Sequence, residues 1–348
     1  MKIHIYSTVK TATRKLAALA ALTLISATGL AHLAKAAGGP GTGGGTIFYT
    51  HLCCRTMWTM NSDGTNKTQL GFAAFGTVST QKYNGHYWFM DARPIDPPQY
   101  YPNGDLRIEV FAFRDDYDQN NHTSEMWAQL TNDITFQPSY ASGDPAYSYQ
   151  WVPGGGKISI KARRWSGNLV SEAGIYTASL QFGPDGNITG LAAQPGAAAI
   201  AFPLDSNLWP NLRSYGWDPT GIKIAYEDTA TLGIADTLGS PHQIIYNGWS
   251  NTPQWSHDGN TIVFMNVNFG ISTIKPNGTH LTEIIRRTSS WIYARPYWSP
   301  TDSNIVCYGV DTNNNLDVFR AASNGNFLTN LTNTPLDRNT GEMPQGWR

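Results

Sequence analysis

Charge is scarce in this sequence: Asp, Glu, Lys and Arg together make up 14% of its 348 residues. Cysteine is scarcer, with three in all. Cys53 and Cys54 are adjacent, where a bridge would be strained, and Cys307 sits in the apolar run Asn304-Ile-Val-Cys-Tyr-Gly309 as a small core residue. Three thiols cannot all pair within one chain, and no redox function is read from them. Past Leu30 no apolar run is long enough to cross a bilayer. Beyond residue 36 the histidines are His51, His86, His122, His242, His257 and His280, and no two have ligand spacing on one element. Spacing therefore yields no metal site, and no cofactor is expected. His257 falls in a turn and should be exposed, while His86 opens an apolar strand and reads as a satisfied core histidine.

The opening residues read as a segment apart from the fold. Lys2, Lys10, Arg14 and Lys15 form a basic leader, Leu16 to Leu30 an apolar stretch, and Ala34-Lys-Ala36 a small-x-small cleavage site. This is the pattern of a secretory signal peptide over residues 1–36, followed by a Gly-rich linker over 37–45. Five of the 24 Lys and Arg lie in 1–36 and none of the 25 Asp and Glu. The remainder carries 19 basic against 25 acidic side chains, a net charge of −6, which argues against nucleic acid or an anionic membrane as the main partner.

What the chain has in plenty is glycine, proline and aromatics, a composition suited to short strands and tight turns. A phrase also repeats. Pro253-Gln-Trp-Ser-His-Asp-Gly-Asn-Thr-Ile-Val-Phe-Met265 is echoed from Pro296, Ser214, Tyr147 and Val78. Each copy has a strand, a turn of Asp, Pro, Asn or Gly, and an apolar strand. A third strand follows, then a turn such as Asn277-Gly278, Asn324-Gly325 or Asp185-Gly186, and a fourth strand. Four antiparallel strands recurring roughly every forty to sixty residues is the pattern of propeller blades. The second strand should be buried on both sides, because blades stack face to face, and its continuous apolar character agrees. Trp151, Trp217, Trp255 and Trp298 should wedge between blades as core.

A sixth copy is split. Gly45-Thr-Ile-Phe-Tyr-Thr50 matches the second strand but lacks a first, and Met343-Pro-Gln-Gly-Trp-Arg348 is a first strand without a second. Both should belong to one blade, closing the ring and removing its unpaired edges.

These residues resemble the TolB-type propeller repeat, a relative of the WD-type repeat, whose units begin Pro-x-Trp-Ser-x-Asp-Gly. The match is close at Pro253–Gly259 and from Pro296, partial at Tyr215–Gly221 and Met60–Leu70, and extends over residues 45–348. The resemblance implies an all-β, six-bladed propeller of four-stranded antiparallel blades over 46–348. It says less about function, since the repeat serves envelope binding proteins, regulatory domains of peptidases and polysaccharide lyases alike. Only a glycine-rich stretch stands where TolB has an α/β domain. The Gly-x-Ser-x-Gly of propeller-bearing prolyl peptidases does not occur, which excludes their chemistry here.

Short Asp-Gly and Asn-Gly turns should project from one face of such a ring, and longer, irregular connections from the other. Binding concentrates on such loops, so the loop-rich face around the central channel is the expected binding surface. His51, Arg55, Asp91, Arg93, Arg163 to Trp165, Glu227, Asp228, Asp311, Trp291, Tyr293 and Arg295 should lie on the loop-bearing face. Arg55, Asp91, Arg93, Arg163, Trp165, Glu227, Trp291 and Arg295 form the candidate ligand patch, with arginines able to grip a carboxylate, sugar or peptide end. The alternative is that these arginines pair with Asp91, Glu227 or Asp311 between blades. No catalytic residue is assigned. The expectation is an exported, monomeric binding protein whose partner is an envelope protein or peptide, or an oligosaccharide. The rival is a secreted carbohydrate-active enzyme of the oligouronide lyase type.

Overall fold

In the computed structural model, the described part of the chain is residues 44–348, apart from 53–55, 74–76, 95, 119, 122, 132–135, 139–148, 194–199, 204–211, 229, 237–241 and 335–340. The leader, most of the linker, Cys53, Cys54 and Arg55 lie outside it. The described residues fold as six antiparallel blades in a ring, with a single 3-10 turn, Ser124–Met126, as their helical content.

Blade one runs, from the axis outward, Glu342–Trp347, Thr46–His51, Thr56–Asn61 and Thr68–Ala73. The first of these strands comes from the far end of the sequence, as the split repeat predicts. Ile47 stands opposite Trp347 and His51 opposite Glu342. Thr46 and Arg348 exchange backbone hydrogen bonds, and the Trp347 indole donates to the Gly44 carbonyl at 2.7 Å. The Arg348 guanidinium reaches on to blade two, donating to the carbonyls of Ser79 (2.9 Å) and Val78 (3.2 Å).

Blades four, five and six follow the four-strand plan: Leu212–Trp217 to Gln243–Asn247, Asn251–Trp255 to Thr282–Ile285, and Trp291–Trp298 to Thr329–Asn330. Two blades depart from it. Blade two has three strands, Trp88–Pro94, Ile108–Arg114 and Trp127–Gln129, with Val78 bridged to Phe89 in place of a first strand. Blade three is enlarged: Lys157–Ser166 and Leu169–Phe182 outrun the ladder, and their extensions pair with Phe136–Pro138 and Ile200–Pro203. The degenerate repeats from Val78 and Tyr147 mark these two blades.

Second strands are buried on both sides, as in Ile262–Met265 and Ile305–Val310. Blade-to-blade contact is stapled by tryptophan. The Trp151 indole donates to Thr77 O of blade two (2.8 Å), Trp217 to Ser159 Oγ of blade three (2.8 Å), and Trp298 to Gln254 O of blade five (3.2 Å). A bulky ring buried in the seam and its one donor satisfied on the neighbour explain why this residue type recurs.

The tight turns share one device. Asp63, Asp185, Asp258, Asn277 and Asn324 each accept, through Oδ1, the backbone N–H two residues ahead, and the intervening glycine has positive φ. This satisfies the turn locally and leaves these side-chain oxygens occupied. At Gly325 (φ 86°) a Cβ would also overlap the Ile284 carbonyl of blade five, so this turn is docked as well as closed.

Innermost strands are bulged at equivalent places: between Leu212 and Tyr215, Asn251 and Gln254, and Ala294 and Tyr297. Thr252 (φ 50°) and Arg295 (φ 51°) adopt left-handed backbone there, an unusual conformation for a β-branched or long side chain. The surroundings hold it: Thr252 N–H donates to Ser214 Oγ (2.9 Å), whose hydroxyl lies 3.0 Å from Glu227 Oε2.

Candidate functional site

The second-to-third strand turns and the blade-to-blade connections emerge on the face opposite the Asp-Gly and Asn-Gly turns. Many candidate side chains reach that face and are then consumed by the fold. Glu227 and Arg295 are buried, at 0% and 2% exposure. Glu227 anchors the Ser214–Thr252 bulge contact, and Arg295 Nη1 lies 2.6 Å from Met343 Sδ of blade one. Trp165 is buried and donates to Gln137 Oε1 (2.8 Å), while Gln137 donates to Asp105 Oδ2 (2.9 Å). That chain ties the 93–105 connection of blade two to blade three.

Asp91 is buried, with Arg93 Nε 3.6 Å from its Oδ2 and the Arg93 guanidinium 4.4 Å from the Phe113 ring centre. The arginine thus pairs along its own strand. Arg163 is partly buried in the extended hairpin of blade three, opposite Ala173 and Gln137. Trp291 is half-buried and meets Phe319 edge-on at 4.9 Å. Asp228 and Asp311 close local turns by accepting the N–H groups of Thr231 and of Asn313 and Asn315. Of the candidate patch, Arg93, Arg163 and Trp291 keep some exposure, on three different blades.

Two histidines were read from the sequence with opposite results. His257 is exposed, as expected, and pairs across a blade seam with Asp302 (2.8 Å). His86 is not a core residue: its side chain is 33% exposed, with Nδ1 2.7 Å from Asp115 Oδ1. The hairpin turn Tyr83–His86 carries the ring out of the sheet before the buried stretch begins. His86, Asp115 and Asp116 could offer one metal ligand each, within 4.8 Å of one another. Arg114 already holds Asp116 through Nε (2.6 Å) and Nη2 (2.9 Å), so the cluster has the chemistry of an ion-pair network.

Two features escaped the sequence reading. The first is at the ring closure. Glu342 Oε1 stands 3.7 Å from His51 Nε2, and the His51 ring stacks on Trp58 at 4.8 Å. Burial pushes the Glu342 carboxyl up to about 7, with the Asp317 charge adding to it against the Thr334 hydrogen bond and Lys67. Burial, then Lys67, pulls His51 below the usual imidazole value. Only pairing the two chain ends brings these groups together.

The second is an open groove of about 520 Å³ between blades five and six. Val267, Asn268 and Phe269 form one wall, Arg286 to Ser289 the other, with Glu283 between. Asn266 builds the first wall. Its Oδ1 accepts the N–H groups of Asn268 (2.9 Å) and Gly270 (3.2 Å), and its Nδ2 donates to Ser272 Oγ (2.8 Å) and Glu283 Oε1 (3.1 Å). Phe269 is thereby held at φ 61° beside Trp249, ring centres 5.6 Å apart. The Arg286-Arg287 doublet was visible in the sequence, but nothing local distinguishes a groove wall from an ordinary connection.

Six blades around one axis, closed by a strand from each end of the sequence and bearing irregular connections on one face, define a six-bladed β-propeller. Among solved structures, TolB shares this fold. The chain is similar to TolB of Acinetobacter baumannii, at 12% identity over 87% of this chain and 66% of that one, TM-score 0.50. It therefore spans just under two thirds of that protein's length. A TolB-type protein of Agrobacterium tumefaciens (14%, 83% and 88%, TM-score 0.46) and an oligogalacturonate lyase in complex with manganese (11%, 75% and 73%, TM-score 0.43) are also similar. No protein-family model and no curated protein matches the sequence. At these identities the likeness speaks to the fold.

Proposed function

We propose that this protein is an exported, non-catalytic binding protein that takes a peptide, protein or small ligand on the loop-bearing face of its propeller. In this reading residues 1–36 are a leader, 37–45 a linker and 46–348 the binding domain. The observation that carries it is the groove between blades five and six, rigidly walled and lined by exposed arginines on the face where the blades leave their connections irregular. The basic leader and apolar stretch support export. Among the described residues no helix is long and apolar enough to cross a membrane.

One observation favours a second reading, a secreted carbohydrate-active enzyme of the lyase type. Glu342, pushed up to about 7, faces His51, and a carboxyl raised towards neutrality beside an imidazole is what acid–base chemistry uses. Purified protein incubated with oligouronides separates the two. An ultraviolet-absorbing unsaturated product, lost in Glu342→Gln, would establish the lyase and sink the binding reading. Absence of product, with salt-sensitive retention of an envelope peptide or protein, is the result expected.

A further inference from the structure

We propose that the groove between blades five and six binds an acidic peptide segment, with Arg287 and Arg286 gripping its carboxylates and Val267 and Phe269 receiving an apolar side chain beside them. The proposal rests on the binding reading above and names the ligand chemistry and its place, away from the central channel.

Charge complementarity carries the argument. Net charge beyond residue 36 is −6, yet two consecutive arginines line this groove. Arg286 is 82% exposed and meets Glu283 through Nε (3.2 Å). That contact uses one edge of the guanidinium and turns its remaining donors outward. Among the described residues no carboxylate pairs with Arg287, which is exposed. The lining carboxylate Glu283 is already engaged by Arg286 and Asn266, so the Arg287 fork is suited to a carboxylate brought by a partner. Thr288 adds to the wall: its Oγ1 accepts the N–H groups of Ser290 and Trp291 (3.2 and 2.9 Å), which leaves the hydroxyl proton free to donate.

The apolar part favours a peptide over a sugar. Val267 is 48% exposed and borders the same groove as Phe269. Saccharides are gripped by flat, open aromatic faces. Here Phe269 is tilted 47° against Trp249, and the nearby Trp291 is turned edge-on to Phe319. A branched aliphatic beside two arginines instead matches a chain alternating acidic and apolar side chains. Phe269 keeps its left-handed backbone because Asn266 clamps both sides of the turn and the Phe269 carbonyl accepts Tyr293 N–H (2.9 Å). The wall is therefore preformed, which limits the ordering cost of binding.

The test is fluorescence anisotropy with a fluorescein-labelled peptide of alternating glutamate and leucine, its glutamine counterpart and an oligouronide. Proteins are the wild type, Arg287→Glu, and Lys275→Glu on the opposite, tight-turn face. Circular dichroism first checks that the variants fold alike. The expected result is salt-sensitive binding of the glutamate peptide, weakened about tenfold or more by Arg287→Glu and unchanged by Lys275→Glu, with the glutamine peptide weaker. Wild-type protein that binds no peptide, or binds both peptides equally, overturns the proposal. So does a loss shared by Lys275→Glu, or an oligouronide that outcompetes the peptide. Peptide binding indifferent to Arg287→Glu sinks the groove and leaves the binding reading standing. Cleavage of the oligouronide sinks the binding reading itself.

Discussion

The Glu342 carboxyl should make this protein less stable as pH rises through neutrality. Glu342 is 2% exposed, on the strand that closes the ring. The Thr334 hydroxyl lies 2.6 Å from Glu342 Oε2 and 2.9 Å from Asp317 Oδ1. One hydroxyl carries one proton and cannot donate to both. Asp317 accepts from Thr332 Oγ1, the Thr334 N–H and Asn330 Nδ2 as well. The network closes if Glu342 is protonated and donates to Thr334, which donates to Asp317. The other titratable groups about Glu342 are His51, which burial and then Lys67 pull below the usual imidazole value, and Lys67. Folding raises the carboxyl from about 4.5 to about 7. A raised acid favours the native state fully below its unfolded value, and that contribution disappears as pH climbs through the folded value. A gap of roughly 2.5 units corresponds to about 3 kcal/mol. Glu342→Gln mimics the neutral acid, since its amide can donate to Thr334. It should match wild type at pH 5 within ~1 kcal/mol and exceed it at pH 8.5 by about 2–3 kcal/mol, about 5 °C in Tm for a domain of this size. Urea and thermal denaturation of both proteins from pH 5 to 9 provide the measurement. A stability difference that stays flat with pH would refute the proton count, as would a variant less stable throughout.

Two further outcomes follow from the fold. Deleting Gly341–Arg348 removes the innermost strand of blade one with Trp347 and the Arg348 contacts to blade two. The protein should unfold or oligomerise through the exposed edge, as read by size-exclusion chromatography and calorimetry, and a monomer of unchanged Tm would contradict ring closure. Gly325→Ala places a Cβ at φ 86° against the Ile284 carbonyl and should cost about 2 kcal/mol or more by urea denaturation, while Gly104→Ala, also at positive φ but facing open space, should cost about 1.

The repeat, the blade count and the split blade were legible in the sequence because each rests on local chemistry. Apolar second strands, Asx-Gly turns and seam tryptophans recur at each copy, and a strand lacking its partner points to the other end of the chain. The candidate site was legible only in part. Arg295 and Glu227 stand where strands meet loops, but inner-strand bulges and the neighbouring blade bury both. His86 looked like core because a run of apolar neighbours does not reveal a hairpin turn at its edge.

By itself, then, the sequence determined the architecture: periodic strands and turns specify hairpins, and hairpins with an apolar second strand must stack. Only the tertiary structure decided which polar side chains face solvent and which share a proton. Glu342 meets His51 and Thr334 only once the chain ends pair, and Arg287 lines a groove only because the connection leaving blade five runs beside the Asn266 turn. Burial and charge at a blade seam depend on the neighbour, and the neighbour is chosen by ring closure rather than by adjacent residues.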